Sequence, residues 1–285
     1  MTPYFHSRYL ETGFGMSSNH IVCYLDLLGY THLVNDHADD PMKLKGIHGV
    51  FEGAVKIMEG FKTRPINSLY AEANKKLAHH LKLHMFSDAT LFAMPLFNLP
   101  QLGEGVSQDD NVIACVLGFL DWVSMFCLFV MGKLGHLYRG GIWIGQHHES
   151  DLNDNPNYQF MFSKALVEAY NLERVKPGHP RILLDGSNIG KGLTQTLIDN
   201  RYILSDSEDK HLYLDLYGRL DFPRARRVLS EIKDGIPKVA RYYRQKHPVE
   251  FEQKMCPKYR WWLNYHNQRS KELDFPADIQ IASPV

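Results

Sequence analysis

Two aspartates stand where side-chain carboxylates could do chemistry. Asp26 closes the strand-like part of the apolar run Ile-Val-Cys-Tyr-Leu-Asp-Leu-Leu-Gly-Tyr (21–30). Asp88 sits in His-Met-Phe-Ser-Asp-Ala-Thr-Leu-Phe-Ala (84–93), between two apolar runs that read as the arms of a hairpin. A carboxylate at a strand end and another at a hairpin tip meet when the strands are neighbours. Two such groups can hold a pair of divalent ions ~3.5–4 Å apart, the arrangement that moves phosphoryl groups. Asp also favours turns for local hydrogen-bonding reasons, so a strand end and a turn account for the same residues without any ion.

The elements that must position these groups come from the rest of the chain. Its 285 residues suffice for one large domain with an appendage, and 44% hydrophobic with 22% charged residues is ordinary for a globular protein. Lys+Arg and Asp+Glu both number 32, so no global field gathers nucleic acid or an anionic membrane. An anionic ligand has to be met by local positive charge or by backbone amides. Cys23, Cys115, Cys127 and Cys256 lie in largely apolar contexts without a Cys-x-x-Cys pair, which predicts reduced, buried thiols in a cytoplasmic protein. Met1 to Gly15 lacks the basic-then-apolar pattern of a secretion signal. Residues 112–131 are apolar and long enough to cross a bilayer, but Asp121 lies at their centre and no basic cluster flanks them. The expectation is a helix buried on all sides, in a core or under a partner subunit.

A strand over 20–27 precedes a helix over 41–62, where Met42, Leu44, Ile47, Val50, Phe51, Ala54 and Met58 recur at helical spacing. Residues 63–80 are polar and irregular, with Lys75 and Lys76 as a cationic patch. The hairpin arms follow at 81–85 and 90–94, with Pro95 and Pro100 breaking the pattern, then the buried helix and a strand over 137–145. An acidic Asn/Asp loop (146–157), a helix over about 160–173 and a strand over 181–185 complete an alternating order, which predicts a mixed sheet covered by helices. Beyond about residue 220 the chain becomes charged and aromatic, and Pro223, Pro237, Pro248 and Pro257 divide it into short helices. Basic residues interleaved with aromatics can stack nucleic-acid bases; the packing of such a segment onto its own domain is the reading adopted.

Four segments in order carry a resemblance: Cys-Tyr-Leu-Asp-Leu-Leu-Gly-Tyr-Thr (23–31), Met-Phe-Ser-Asp-Ala (85–89), Arg-Gly-Gly-Ile-Trp-Ile-Gly (139–145) and Phe-Ser-Lys-Ala-Leu-Val-Glu-Ala-Tyr-Asn-Leu-Glu (162–173). The series, over about residues 20–215, resembles class III nucleotidyl cyclases, and within them the bacterial pyrimidine cyclases of the Pycsar antiphage system. The resemblance implies a mainly antiparallel mixed sheet covered by helices (α+β). It divides the chain into an arm (1–19), a cyclase catalytic domain (20–220) and a helical C-terminal extension (221–285). It also implies a homodimer with composite sites, and a separate effector protein that answers to cyclic UMP or cyclic CMP made from UTP or CTP. Asp26 and Asp88 match the metal-binding aspartates for two Mg or Mn ions, and the Leu27 carbonyl matches the backbone ligand. Leu28, Gly29, Tyr30 and Thr31 match the turn whose amides receive the triphosphate.

Departures are as informative as matches. Where purine cyclases carry a base-reading Lys this chain has His84, and the position of its Asp partner falls on Phe160. A ring can stack on a base and an imidazole offers one donor or acceptor, which argues against ATP or GTP and leaves room for a smaller base. The family's ribose-orienting Asn and transition-state Arg fall on Val167 and Asn171, so the cation has to come from elsewhere. Arg139 is the nominated substitute, with Lys164 and Arg174 behind it. A purine cyclase with altered base contacts and a cyclase-fold binding protein without turnover are the alternative readings. Gly186-Ser-Asn-Ile-Gly-Lys-Gly192 lacks the spacing of a phosphate loop and reads as a strand end and helix cap. The pairs His79-His80 and His147-His148 read as solvated.

Overall fold

The computed structural model describes residues 19–63, 77–86, 88–96, 107–152, 155–175, 178–207, 209–220 and 222–281. The N-terminal arm up to residue 18, the patch at Lys75 and Lys76, and Pro100 lie outside these residues. Among the described residues an eight-stranded sheet runs in the order β2-β3-β1-β4-β6-β8-β7, with β5 paired to β4. The strands are β1 (Asn19–Leu27), β2 (Lys82–Phe86), β3 (Ala89–Pro95), β4 (Tyr138–Leu152), β5 (Asn155–Ser163), β6 (Ile182–Leu184), β7 (Ile203–Ser205) and β8 (Leu212–Leu214). Only β4 and β6 pair in parallel, so the mixed, mainly antiparallel sheet expected from the sequence is present.

Alternation in β1 sends Ile21, Cys23, Leu25 and Leu27 to one face, where all are buried. That face meets α3 (Gln108–Leu134), whose Phe126 and Phe119 pack edge-on against Phe92 of β3 at 5.1 and 6.4 Å between ring centres. Ser107 caps the start of α3 by accepting from the Asp110 amide at 3.1 Å. Gly135, at φ +69°, ends it in the left-handed conformation. Among the described residues α3 is the one helix long and apolar enough to cross a bilayer, and its most apolar stretch is largely buried, as expected. The opposite sheet face, with Val22, Leu91 and Ala93, is covered by Ala165 of α4 (Lys164–Val175). Gly141 of β4 allows this close approach: a Cβ there would lie 2.1 Å from the Ala169 carbonyl oxygen.

Asp121 does sit inside the buried helix. Its carboxylate accepts from the Tyr202 hydroxyl at 3.2 Å. Burial pushes it up from 3.8 to about 6, against the Tyr202 hydrogen bond and the Arg219 charge. The folded state therefore holds a proton that the unfolded state has already released, and stability falls as pH rises from about 4 to about 6. A shift of that size corresponds to about 3 kcal/mol. Asp121→Asn should abolish this slope and stabilise the protein near neutral pH by about 2 kcal/mol. Urea unfolding of both proteins across that pH window checks it.

Three sequence expectations change. The segment 146–157 is no loop: β4 continues to Leu152 and turns into β5, forming a long two-stranded ribbon, and only residues 153 and 154 of that segment lie outside the description. The helix expected from about 160 begins at Lys164, because 160–163 belong to β5. Pro237 does not divide the C-terminal segment: α7 runs from Phe222 to Lys246 straight through it. Ala225, Leu229, Ile232, Ile236, Ala240 and Tyr243 form one buried stripe along α7, and burial of that stripe outweighs the hydrogen bond lost at proline. Residues 248–255 make a tight helical passage into α8 (Cys256–Glu272). There Tyr259, Trp262, Leu263, Tyr265 and His266 are buried, so the aromatic tail packs on its own chain as expected. All four cysteines are free and buried. Asp185 caps a short helix at Gly186–Ile189 by accepting from the Ser187 amide at 2.7 Å, and α6 (numbered after that helix, α5) spans Lys191–Asp199.

Candidate active site

The register of three strands builds the site. Asp26 at the end of β1 stands opposite Ala89 of β3 on one side and Arg139 of β4 on the other. The Leu27 amide donates to the Asp88 carbonyl at 2.9 Å, which fixes the hairpin tip beside the end of β1. Arg139 Nε donates to Asp26 Oδ2 at 2.6 Å and lies 2.7 Å from Glu173 Oε1. Nε has a single hydrogen, directed at Asp26, so its contact with Glu173 is an ion pair without a hydrogen bond, and Glu173 Oε1 is buried without one.

Electrostatics show how many charges share this corner. Tyr24, in the row before Asp26, has its hydroxyl pushed up to about 12 by burial first and then by Asp26, Glu173 and Asp88. Glu173 is raised by burial and by Asp26, with Arg139 opposing. Lys258, entering from α8, is lowered by burial and by Arg139, while Asp26 and Glu173 pull it the other way. Two carboxylates, Asp26 and Glu173, therefore flank Arg139, with Lys258 at the edge of the same field and Asp88 felt at Tyr24.

Beside this corner lies the turn into α1 (Tyr30–His37), which precedes α2 (Pro41–Thr63). Gly29 adopts φ +83°, a conformation that costs glycine little. The Leu28 carbonyl accepts from Nδ1 of buried His136 at 2.9 Å, and the Gly29 carbonyl accepts from the Tyr243 hydroxyl at 3.3 Å. Burial lowers the pKa of His136, consistent with a neutral ring that donates through Nδ1. No side chain among the described residues caps α1, so its first amides are available to an anion.

The structure thus brings Asp26, Leu27, Leu28, Gly29, Tyr30, Thr31, Asp88 and Arg139 to one end of the sheet. Phe160 is elsewhere: it lies on β5 opposite Ser150, nearly half exposed, and not at a helix entrance. His84 meets Glu149 instead, at 2.9 Å. Val167, Asn171, Lys164 and Arg174 are all exposed on α4, and Arg174 lies over the Tyr170 ring at 5.4 Å. His79 and His80 are exposed as expected, and so is His148; His147 is buried and hydrogen-bonded to Glu149 at 3.3 Å, which corrects its reading as solvated. Sequence reasoning missed Glu173, Lys258 and Glu149. Glu173 had a signal, because Ala165, Ala169 and Glu173 at four-residue spacing place a carboxylate on the apolar stripe of α4.

Among the described residues no three His, Cys, Asp or Glu side chains form a ready cage for a metal ion. Carboxylate and backbone oxygens from Asp26, Asp88 and Leu27 suit Mg or Mn, which are commonly held by one or two carboxylates with substrate phosphates completing the shell. The surplus of carboxylate over cation around Tyr24 fits such an ion.

No family model matches the sequence, and no curated protein matches it. Solved structures similar in backbone path include the guanylyl cyclase domain of the RhoGC fusion protein from the aquatic fungus Blastocladiella emersonii. That likeness has 10% identity and TM-score 0.42, and covers 70% of this chain and 93% of that one. The adenylyl cyclase CyaB from P. aeruginosa is similar at 11% identity and TM-score 0.40, over 69% of this chain and 93% of that one. The guanylate cyclase domain of RhGC from Catenaria anguillulae, solved with GTP, is similar at 12% identity and TM-score 0.41, over 69% and 94%.

Proposed function

We propose that this protein is a nucleotide cyclase that converts UTP or CTP to the 3′,5′-cyclic monophosphate and pyrophosphate. The observation that carries the reading is the meeting of Asp26, Asp88, Glu173 and Arg139 beside the uncapped turn at Leu28 to Thr31. In the reaction the ribose 3′-hydroxyl passes its proton to solvent water, its oxygen bonds the α-phosphorus, and the bond from that phosphorus to the pyrophosphate oxygen breaks, releasing pyrophosphate. The amides of Gly29, Tyr30 and Thr31 would hold the triphosphate, the Leu28 amide being taken by the Leu137 carbonyl at 2.9 Å, and Arg139 would offer charge to the phosphoryl oxygens. Mg or Mn held by Asp26, Asp88 and the Leu27 carbonyl would supply Lewis-acid polarisation and charge neutralisation when bound. A small base is supported by the single imidazole at His84. A signalling role in antiphage defence, with a separate effector protein, follows from the resemblance of the four sequence segments.

The reading includes a homodimer. Phe86, Phe162 and Val167 are more than half exposed on β2, β5 and α4, elements that flank the site, and a second copy of the chain is the occupant proposed. Phe162→Glu with Val167→Glu should give a monomer by light scattering and lower turnover by about tenfold or more, as an interface that completes a composite site requires.

Purified protein incubated with each of the four ribonucleoside triphosphates and Mn²⁺ tests the function. A cyclic pyrimidine product is the expected result; cyclic AMP or GMP alone would replace it with a purine cyclase. Metal-dependent nucleotide binding without product would identify a binding protein, a reading favoured by the absence of a buried cation on α4.

A further inference from the structure

Glu149 is the centre of a buried polar cluster on the face of the sheet that carries Asp26. Its Oε2 accepts from His84 Nε2 at 2.9 Å and from His147 Nε2 at 3.3 Å, and its Oε1 pairs with Lys82. The side chain is only 9% exposed, and that of His84 15%. Burial alone would raise the Glu149 carboxyl, but the hydrogen bonds from His147, His84 and Lys82 hold it far below the usual carboxylate range. An ionised carboxylate only accepts, so Nε2 of His84 must carry the hydrogen. In neutral imidazole that leaves Nδ1 as the acceptor, because the bond to Glu149 runs through Nε2.

The strand register places this acceptor relative to the catalytic corner. His84, Leu91, Tyr24 and Gly141 form one row across four strands, and Phe86, Ala89, Asp26 and Arg139 form the row two residues on. His84 and Asp26 therefore share a face, two strands and two residues apart, a separation of about 12 Å. That span is comparable with the distance from the α-phosphate of a nucleotide to the edge of its base.

Building on the cyclase reading above, we propose that Glu149 is a positioning residue that fixes His84 to present an Nδ1 acceptor, which selects uracil over cytosine. Uracil offers N3–H at the centre of its pairing edge, whereas cytosine has a lone pair there and would face Nδ1 acceptor to acceptor. A buried acceptor left facing another acceptor is costly, which is the physical basis of the discrimination.

Two measurements test it. Nitrogen-15 spectra of wild-type protein, at a pH where His84 is neutral, should show the Nε2–H tautomer, lost or mixed in Glu149→Gln; an Nδ1–H tautomer in the wild type overturns the proposal. In parallel, wild type should favour UTP over CTP, in kcat/KM or in displacement of a fluorescent triphosphate. Glu149→Gln should cut that preference by about tenfold, mainly through KM. An unchanged preference, or one for CTP, overturns the proposal. A wild type that binds UTP selectively but turns nothing over defeats the cyclase reading and leaves the role of Glu149 supported.

Discussion

Asp26→Asn should leave the fold standing and reduce cyclase turnover by about a thousandfold or more. Asparagine keeps the size and one oxygen of the side chain, and Asp26 is one member of a cluster at the end of β1, whose ladder with β3 and β4 needs no carboxylate. What is lost is charge. Arg139 would then have Glu173 as its sole carboxylate partner among these contacts, and the corner would offer one anion fewer to a divalent ion. The measurement is product formation per active site beside the thermal midpoint. A variant as active as wild type would sink the metal-assisted reading, while one that is inactive because unfolded would show in the midpoint. Asp88→Asn should behave in the same way.

The largest effect on stability belongs to a pair far from this corner. Arg269 on α8 donates to Asp215 through Nη2 at 2.5 Å and Nε at 3.3 Å. Asp215 also accepts from the Tyr265 hydroxyl at 2.8 Å and the Tyr217 amide at 3.2 Å. The Asp215 side chain is fully buried and that of Arg269 nearly so. Arg269→Met removes the countercharge and leaves a carboxylate without water or a cation, at a cost of about 3–5 kcal/mol. Urea unfolding gives the number. Adding Asp215→Asn should recover part of the loss, because the buried charge goes with it. A loss below about 1 kcal/mol would mean that water reaches Asp215.

The sheet and its covering helices were legible because each carries one clean signal. Strand β1 alternates Ile21, Cys23, Leu25 and Leu27 toward the core, and α3 is apolar on every side. The ribbon was illegible because its alternation is written in polar residues: Gln146, His148 and Ser150 are exposed, while His147 is buried and Glu149 partly so. A reading that equates burial with apolarity finds no strand there. The long helix α7 was obscured by Pro237, whose local cost is overridden by a stripe that becomes visible only once α3 is in place.

The same distinction divides the site. Asp26 and Asp88 interrupt apolar strands, and a charge in such a place invites a chemical question. Glu149 and Lys258 acquire their meaning from partners more than sixty residues away, His84 in one case and the Asp26 corner in the other. Spacing along the chain does not encode such contacts. Arg139 was reachable because the glycines after it announce close packing, and Gly141 does meet the backbone of α4.

Tyr243 and the passage into α8 touch the turn at Gly29, with the methyl carbon of Met255 only 3.5 Å from where a Gly29 side chain would begin. Residues more than two hundred positions apart therefore finish one small piece of backbone. On a ribosome, the turn waits for residues 243–255 to emerge before these contacts can form. A copy ending before Tyr243 would hold Asp26 and Asp88 yet lack the contacts that shape the turn at Gly29.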